Sequence, residues 1–277
     1  MAANTRTSPT DSAHRWDALR SPQFNAIDAQ RAVAVLPLGA TEQHGPHLPL
    51  SVDTVLVEGV IQAALSHLTA QDPVWVLPTQ TVGLSTEHIA FAGTLTLSAQ
   101  TAIALWCDLG ASLARAGFKK LLMFNAHGGN VGLMDVVARE LRAQHGLLVY
   151  SSSWYNLPIE AAVMQQFSAQ EHRFGIHGGE IETSMMLALA PDWVDMSQAQ
   201  NFASTSQDRA ARYDILGNGK SAKLGWHMQD YNPQGAVGNA AAASAAKGQA
   251  LIDSAGEQLA NLLRELIDLP LSTLRQK

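Results

Sequence analysis

The chain has 277 residues, enough for one large α/β domain, with 47% apolar residues to fill a core and only 15% charged. Eighteen basic against twenty-four acidic side chains give a net charge of −6 without any basic block, which argues against nucleic acid and anionic membranes as partners. Cys107 is the only cysteine, which excludes an intrachain disulfide, and no uncharged apolar run approaches the ~20 residues of a membrane span. The expectation is a cytoplasmic protein whose sparse surface charge suits burial against partner subunits.

Residues 1–14 are polar and without periodicity and read as a disordered arm; residues 15–277 read as one domain. The run AVAVLPLG (32–39) is a continuous apolar strand of the kind buried on both faces. Helical spacing follows over 53–68, a second strand over 74–78, and a helix over 98–117 with Ser98 as N-cap and Gly117 as stop. A third strand is predicted at 119–125, a helix at 131–146 ended by Gly146, and a fourth strand at 147–155. A helix at 180–191 stops at Pro191, the Gly/Asn/Gln-rich stretch 200–240 reads as long loops, and a closing helix covers 240–267. This alternation predicts a mostly parallel sheet between helical layers.

In such sheets ligands bind at the carboxyl ends of the strands. Three polar segments fall there: GATEQHGPHLPLSVD (39–53), NAHGGN (125–130) and HGGEIETS (177–184). Each has an ordinary explanation. Asp53 precedes a helix and can cap it, the glycine-rich turn around His127 can cradle an anion, and Glu180 with Glu182 complements a helix dipole. Capping and dipoles do not account for His44, His127 and His177 converging with four acids on one sheet edge. Glu42, Asp53 and Glu182, with neutral His44 and His127, suit two divalent cations: with one bridging hydroxide the charges cancel, as a cleft requires. Oxygen and nitrogen donors without thiolate favour Zn²⁺ or Mn²⁺. Two rival classes are a thiol nucleophile at Cys107, within an apolar helix, and a non-catalytic module binding a small anion. Glu87 or His88 of STEH (85–88) is a candidate for orienting a ligand, and Trp154 and Tyr155 for lining a pocket.

These motifs, with STEHIAFAGTLTL (85–97) and GAVGNAAAASAAKG (235–248), resemble those of the creatininase (creatinine amidohydrolase) family across about residues 30–250. The resemblance implies a three-layer α/β/α fold and a binuclear centre with Asp53 bridging. His44, Asp53 and Glu182 would hold one ion, and Glu42, Asp53 and His127 the other. It implies His177 as proton shuttle, a small-molecule amide as substrate, and a homo-oligomer, commonly a hexamer. The sequence departs from creatininase proper at two places. Gly128 and Gly129 stand where an aromatic and an acid follow the third-strand histidine, and Arg173 and Phe174 replace a Trp-Asp pair that grips creatinine. Gly128, Gly129 and Arg173 are therefore the candidate substrate contacts, Arg173 for a carboxylate or phosphate. The expected reaction is metal-dependent hydrolysis of a cyclic amide or formamide; creatinine hydrolysis proper and a peptidase-like activity on modified peptides are the alternatives.

Overall fold

The computed structural model describes residues 13–275. Of the predicted arm, residues 1–12 lie outside the described residues. His14, placed in the predicted arm, is buried, its Nδ1 3.0 Å from the Val74 carbonyl.

Four strands form one parallel sheet: β1 (Val33–Leu38), β2 (Val74–Val76), β3 (Lys120–Asn125) and β4 (Leu148–Ser153), in the spatial order β2-β1-β3-β4. Every residue of β1 and β3 is buried, as a strand covered on both faces demands. Val33, Val35, Leu122 and Phe124 point to one face, where helices α1 (Val52–Ser66), α6 (Glu180–Leu189) and α9 (Ala245–Asp268) pack. Ala34, Leu36, Leu121 and Met123 point to the other, against α2 (Ala99–Arg115) and α3 (Val131–His145). The three layers match the predicted fold class.

The local stops are those the residues dictate. Ser98 accepts a hydrogen bond from the Thr101 amide at the start of α2, and Gly146 takes the left-handed conformation that ends α3. Strand four ends earlier than predicted, because Trp154–Asn156 turn as a 3-10 helix. The closing helix starts later than predicted, at Ala245, with Ser244 as its N-cap. The stretch 200–240 is not all loop: β5 (Asn201–Phe202) and β6 (Gly238–Asn239) pair antiparallel, and α7 (Thr205–Arg212) and α8 (Met228–Tyr231) lie between them. Two further short helices, α4 (Ala161–Met164) and α5 (Ala169–Phe174), were not foreseen. Among the described residues no helix is long and apolar enough to cross a membrane.

The connection after β1 carries α1 to one face and the connection after β3 carries α3 to the other. These neighbouring strands diverge in their crossovers, which opens a crevice at their carboxyl ends. There Leu38 pairs with Asn125 across the sheet, so residues 39–53 and 126–130 emerge side by side.

Candidate metal centre

The loop after β3 is braced by asparagines. Asn125 Oδ1 accepts the His127 amide at 3.1 Å and its Nδ2 donates to the His127 carbonyl at 2.7 Å. Asn130 donates to Gly39 O at 3.1 Å and accepts the Leu84 amide at 3.1 Å, tying the loops after β1 and β3 to residues 84–88. Position 129 admits no side chain. A Cβ there would stand 2.1 Å from Leu84 O and 2.5 Å from both Glu87 Oε1 and His127 Nε2. Gly178, at φ +61, approaches the His44 carbonyl too closely for a Cβ, and so lets the 177–180 turn close over the first loop.

Five predicted ligand residues converge. Glu42, His44, Asp53 and His127 are buried, and Glu182 is 17% exposed. Asp53 Oδ1 lies 3.6 Å from His44 Nε2 and Asp53 Oδ2 lies 3.3 Å from His127 Nδ1, so its carboxylate spans two imidazoles. Glu42 Oε1 is 3.2 Å from His127 Nδ1, and Glu182 Oε2 is 4.0 Å from His44 Nε2. Among the described residues, donor atoms close enough to share one ion occur in three sets: Glu42/Asp53/His127, His44/His177/Glu182 and Glu42/His88/His177. Asp53 is the second residue of α1 and not its cap; Ser51 holds that position, and the capping explanation fails.

The hydrogen bonds behind the histidines decide what they present. His44 Nδ1 donates to Glu42 O at 3.0 Å and His127 Nε2 donates to Leu84 O at 2.7 Å. In the neutral rings the inward nitrogens then carry lone pairs that face carboxylate oxygens, an arrangement that repels unless a cation or a proton lies between. Glu42 Oε2, His44 Nε2 and Asp53 Oδ2 are buried with no hydrogen-bond partner. Such groups are costly when left alone, and a donor set of this chemistry fits a divalent ion.

Protonation is the alternative response, and the charges show it. Burial alone would lower the His44 pKa, but Asp53, helped by Glu182 and Glu42, outweighs it and raises it to about 9. His127 moves well above its ordinary value, Glu42 and Asp53 overcoming its burial. Asp53 is held low despite burial by these two imidazoles. Glu182 is raised to about 7, chiefly by burial. His177 is pushed well below its ordinary value by burial and by His44 and His88, so it is neutral.

His177 sits between two imidazoles, its ring centroid 4.1 Å from His44 and 4.3 Å from His88. Its Nε2 donates to the Gln43 carbonyl at 2.7 Å, which leaves Nδ1 unprotonated, 3.8 Å from Glu42 Oε1. His88 Nε2 lies 3.3 Å from Glu42 Oε1, the orienting position considered for it.

A cavity of about 460 Å³ opens from Glu42, Asp53 and His127. Trp154, Ile159, Met164, Ile181 and Leu251 form its apolar wall, and Gly128 and Gly129 also line it. Arg173 does not. Its side chain is exposed, donates to Gly217 O at 3.2 Å and lies over its own Phe174 ring, because α5 turns that face outward. Among the described residues no Lys or Arg lines the cavity. Tyr155 borders the mouth, as does Trp226, which nothing in the pattern of residues 200–240 singled out. Gln43 was also passed over, although it stands between two of the candidate ligands. Cys107, half-buried on α2 with its thiol pKa raised by burial, packs in the opposite layer, outside the cavity.

Residues 17–263 match the family model described as Creatininase: Creatinine amidohydrolase. A mycofactocin precursor peptide peptidase of Mycobacterium ulcerans (strain Agy99) is 35% identical over 181 residues, 62% of this chain and 65% of that protein. The match thus spans slightly under two thirds of that relative's length. The creatinine amidohydrolase of Pseudomonas putida is 32% identical over 185 residues, 62% of this chain and 70% of that protein. A solved structure described as "Creatininase Mn" superposes with a TM-score of 0.74 at 26% identity, covering 92% of this chain and 99% of that one. A Zn-Zn form of a mutant creatininase superposes at 0.73, also at 26% identity, over 92% of this chain and 98% of that one. Fold, motifs and sequence agree: the chain belongs to the creatininase family.

Proposed function

We propose that the chain is a metal-dependent amidohydrolase that cleaves a C–N amide bond in a cyclic amide or formamide. The observation that carries this reading is the trio of buried atoms without a hydrogen-bond partner, Glu42 Oε2, His44 Nε2 and Asp53 Oδ2, gathered beside the inward nitrogen of His127. His44, Asp53 and Glu182 would hold one divalent ion, Zn or Mn, and Glu42, Asp53 and His127 a second, with Asp53 shared. Ions bound there would polarise a substrate carbonyl and acidify the attacking water toward neutrality.

The remaining work belongs to the chain. An amide nitrogen leaves poorly unless protonated, so a proton carrier is needed, a step typically contributing 10²–10⁴-fold. His177 suits it: neutral, with Nε2–H committed to Gln43 O and Nδ1 free to take a proton and release it to the departing nitrogen. The wall of Trp154, Ile159, Ile181 and Leu251 excludes water and favours an apolar substrate body. The lack of lining Lys or Arg among the described residues favours a substrate without a carboxylate or phosphate at that end, and weighs against the anion-binding alternative.

A peptidase-like action on a modified peptide is the second reading, favoured by the exposed Tyr155 and Ile176 at the mouth, where a longer chain could lie. A homo-oligomer is supported by the exposure of Trp193, Ile215 and Leu216, and light scattering tests it. The deciding experiment is elemental analysis followed by assays against cyclic ureides, lactams, formamides and short peptides, with and without chelation. Activity that chelation abolishes and zinc or manganese restores is expected. Protein purified without metal, or activity indifferent to chelation, overturns the reading.

A further inference from the structure

The bonds around Gln43 form a closed account of protons. Its Oε1 accepts the Gly45 amide at 2.9 Å, which fixes which end of the side chain is oxygen. Its Nε2 therefore faces His88 Nδ1, 2.8 Å away, and donates to it. An imidazole nitrogen that accepts carries no proton, so neutral His88 holds its proton on Nε2, 3.3 Å from Glu42 Oε1. The backbone of the same residue acts on the neighbouring ring: Gln43 O takes the His177 Nε2 proton at 2.7 Å. Gln43 Nε2 also lies 3.4 Å from His177 Nε2, but both carry hydrogen there, so the shorter carbonyl contact governs.

We propose that Gln43 is a positioning residue that sets which nitrogen of His88 and of His177 carries the proton, through its side-chain amide for the first and its carbonyl for the second. His88 then offers Glu42 an N–H and no lone pair. This removes the Glu42/His88/His177 set from the candidate ion sites, although its atoms are close enough together. His177 offers the opposite, an acceptor nitrogen turned toward the carboxylates. The two stacked rings, 4.3 Å apart, are thus given complementary roles by one residue. What this does for turnover rests on the hydrolase reading above; the proton positions themselves do not.

The test is a two-bond ¹H–¹⁵N correlation spectrum of histidine-labelled protein, in the metal-free and zinc-loaded states, which separates Nδ1–H from Nε2–H rings. Wild-type His88 and His177 are both expected as Nε2–H. Gln43→Glu retains an acceptor for the Gly45 amide but loses the donor. His88 is then expected to gain a proton on Nδ1, while His177, held by the main chain, keeps its form and serves as the check that the loop is intact. Zinc affinity in this variant is expected to fall about 10- to 100-fold, the usual range for losing support behind a ligand. Wild-type His88 protonated on Nδ1, or a Gln43→Glu spectrum identical to wild type, overturns the proposal, and the wild-type spectrum decides even if the variant fails to fold. Protein that binds no metal yet shows the expected forms would sink the hydrolase reading and leave this one standing.

Discussion

Adding zinc to metal-free protein should expel protons in a predictable number. With His44 raised to about 9 and His127 raised well above its ordinary value, both are almost wholly protonated at pH 7.5. Each must give up that proton before its inward nitrogen can bind an ion. Glu182, at about 7, contributes roughly a quarter of a proton more, and the neutral His88 and His177 contribute none. The expected release is about one proton per ion and slightly over two at saturation. Affinity for the ion held by His44 should therefore rise about tenfold per pH unit up to about pH 9. Calorimetric titrations in buffers of different ionisation heat count these protons directly. A total below half a proton, or affinities flat between pH 6.5 and 8, would refute the reading that His44 and His127 are protonated in the metal-free protein and lose those protons to the ions.

In metal-free protein, thermal stability should decline from about pH 6.5 to 9. His44, raised from 6.5 to about 9, stabilises fully below 6.5 and loses that contribution, about 3 kcal/mol, as pH passes through 9. A melting temperature constant between about pH 6.5 and 9 speaks against the raised His44. Glu182→Gln should cut metal content by about half and turnover with it while leaving the far-UV spectrum unchanged; full retention of both removes it from the site. Gly129→Ala meets Leu84 O and should cost about 1–3 kcal/mol, whereas Gly128→Ala meets nothing within 4 Å and should be near neutral by denaturant titration. Glu171→Gln should cost about 1–3 kcal/mol, since its two oxygens accept the Glu180 amide at 2.6 Å and the Asn239 amide at 2.9 Å and a carboxamide offers one. Arg173→Ala should leave KM unchanged, and a tenfold rise would return it to the substrate site.

The strand–helix alternation was legible because β1 and β3 are apolar on both faces, a pattern that only a covered parallel strand requires. The convergence of Glu42, Asp53 and His127 was legible for a related reason, since each follows a strand whose carboxyl end the fold gathers at one edge. What was not legible depends on orientation. Arg173 lies four residues before His177, and nothing in that spacing reveals that α5 turns it to solvent while His172, its neighbour, borders the cavity. Asp53 looks like a cap because caps are acidic and precede helices; only the backbone at Ser51 shows where the helix begins. Trp226 reaches the cavity from a segment with no periodicity, where tertiary contact alone sets direction.

The pairing of Leu38 with Asn125 has a mechanical corollary. A strand advances about 3.3 Å per residue, and Glu42 Oε1 stands 3.2 Å from His127 Nδ1. Sliding β1 past β3 by a single step would move one half of the centre away from the other by the whole distance that joins them. The apolar strands thus act as a ruler for the chemistry above them. A substitution such as Val35→Ala, on the strand and outside the candidate ligand set, should register first as weakened metal retention and only later as unfolding.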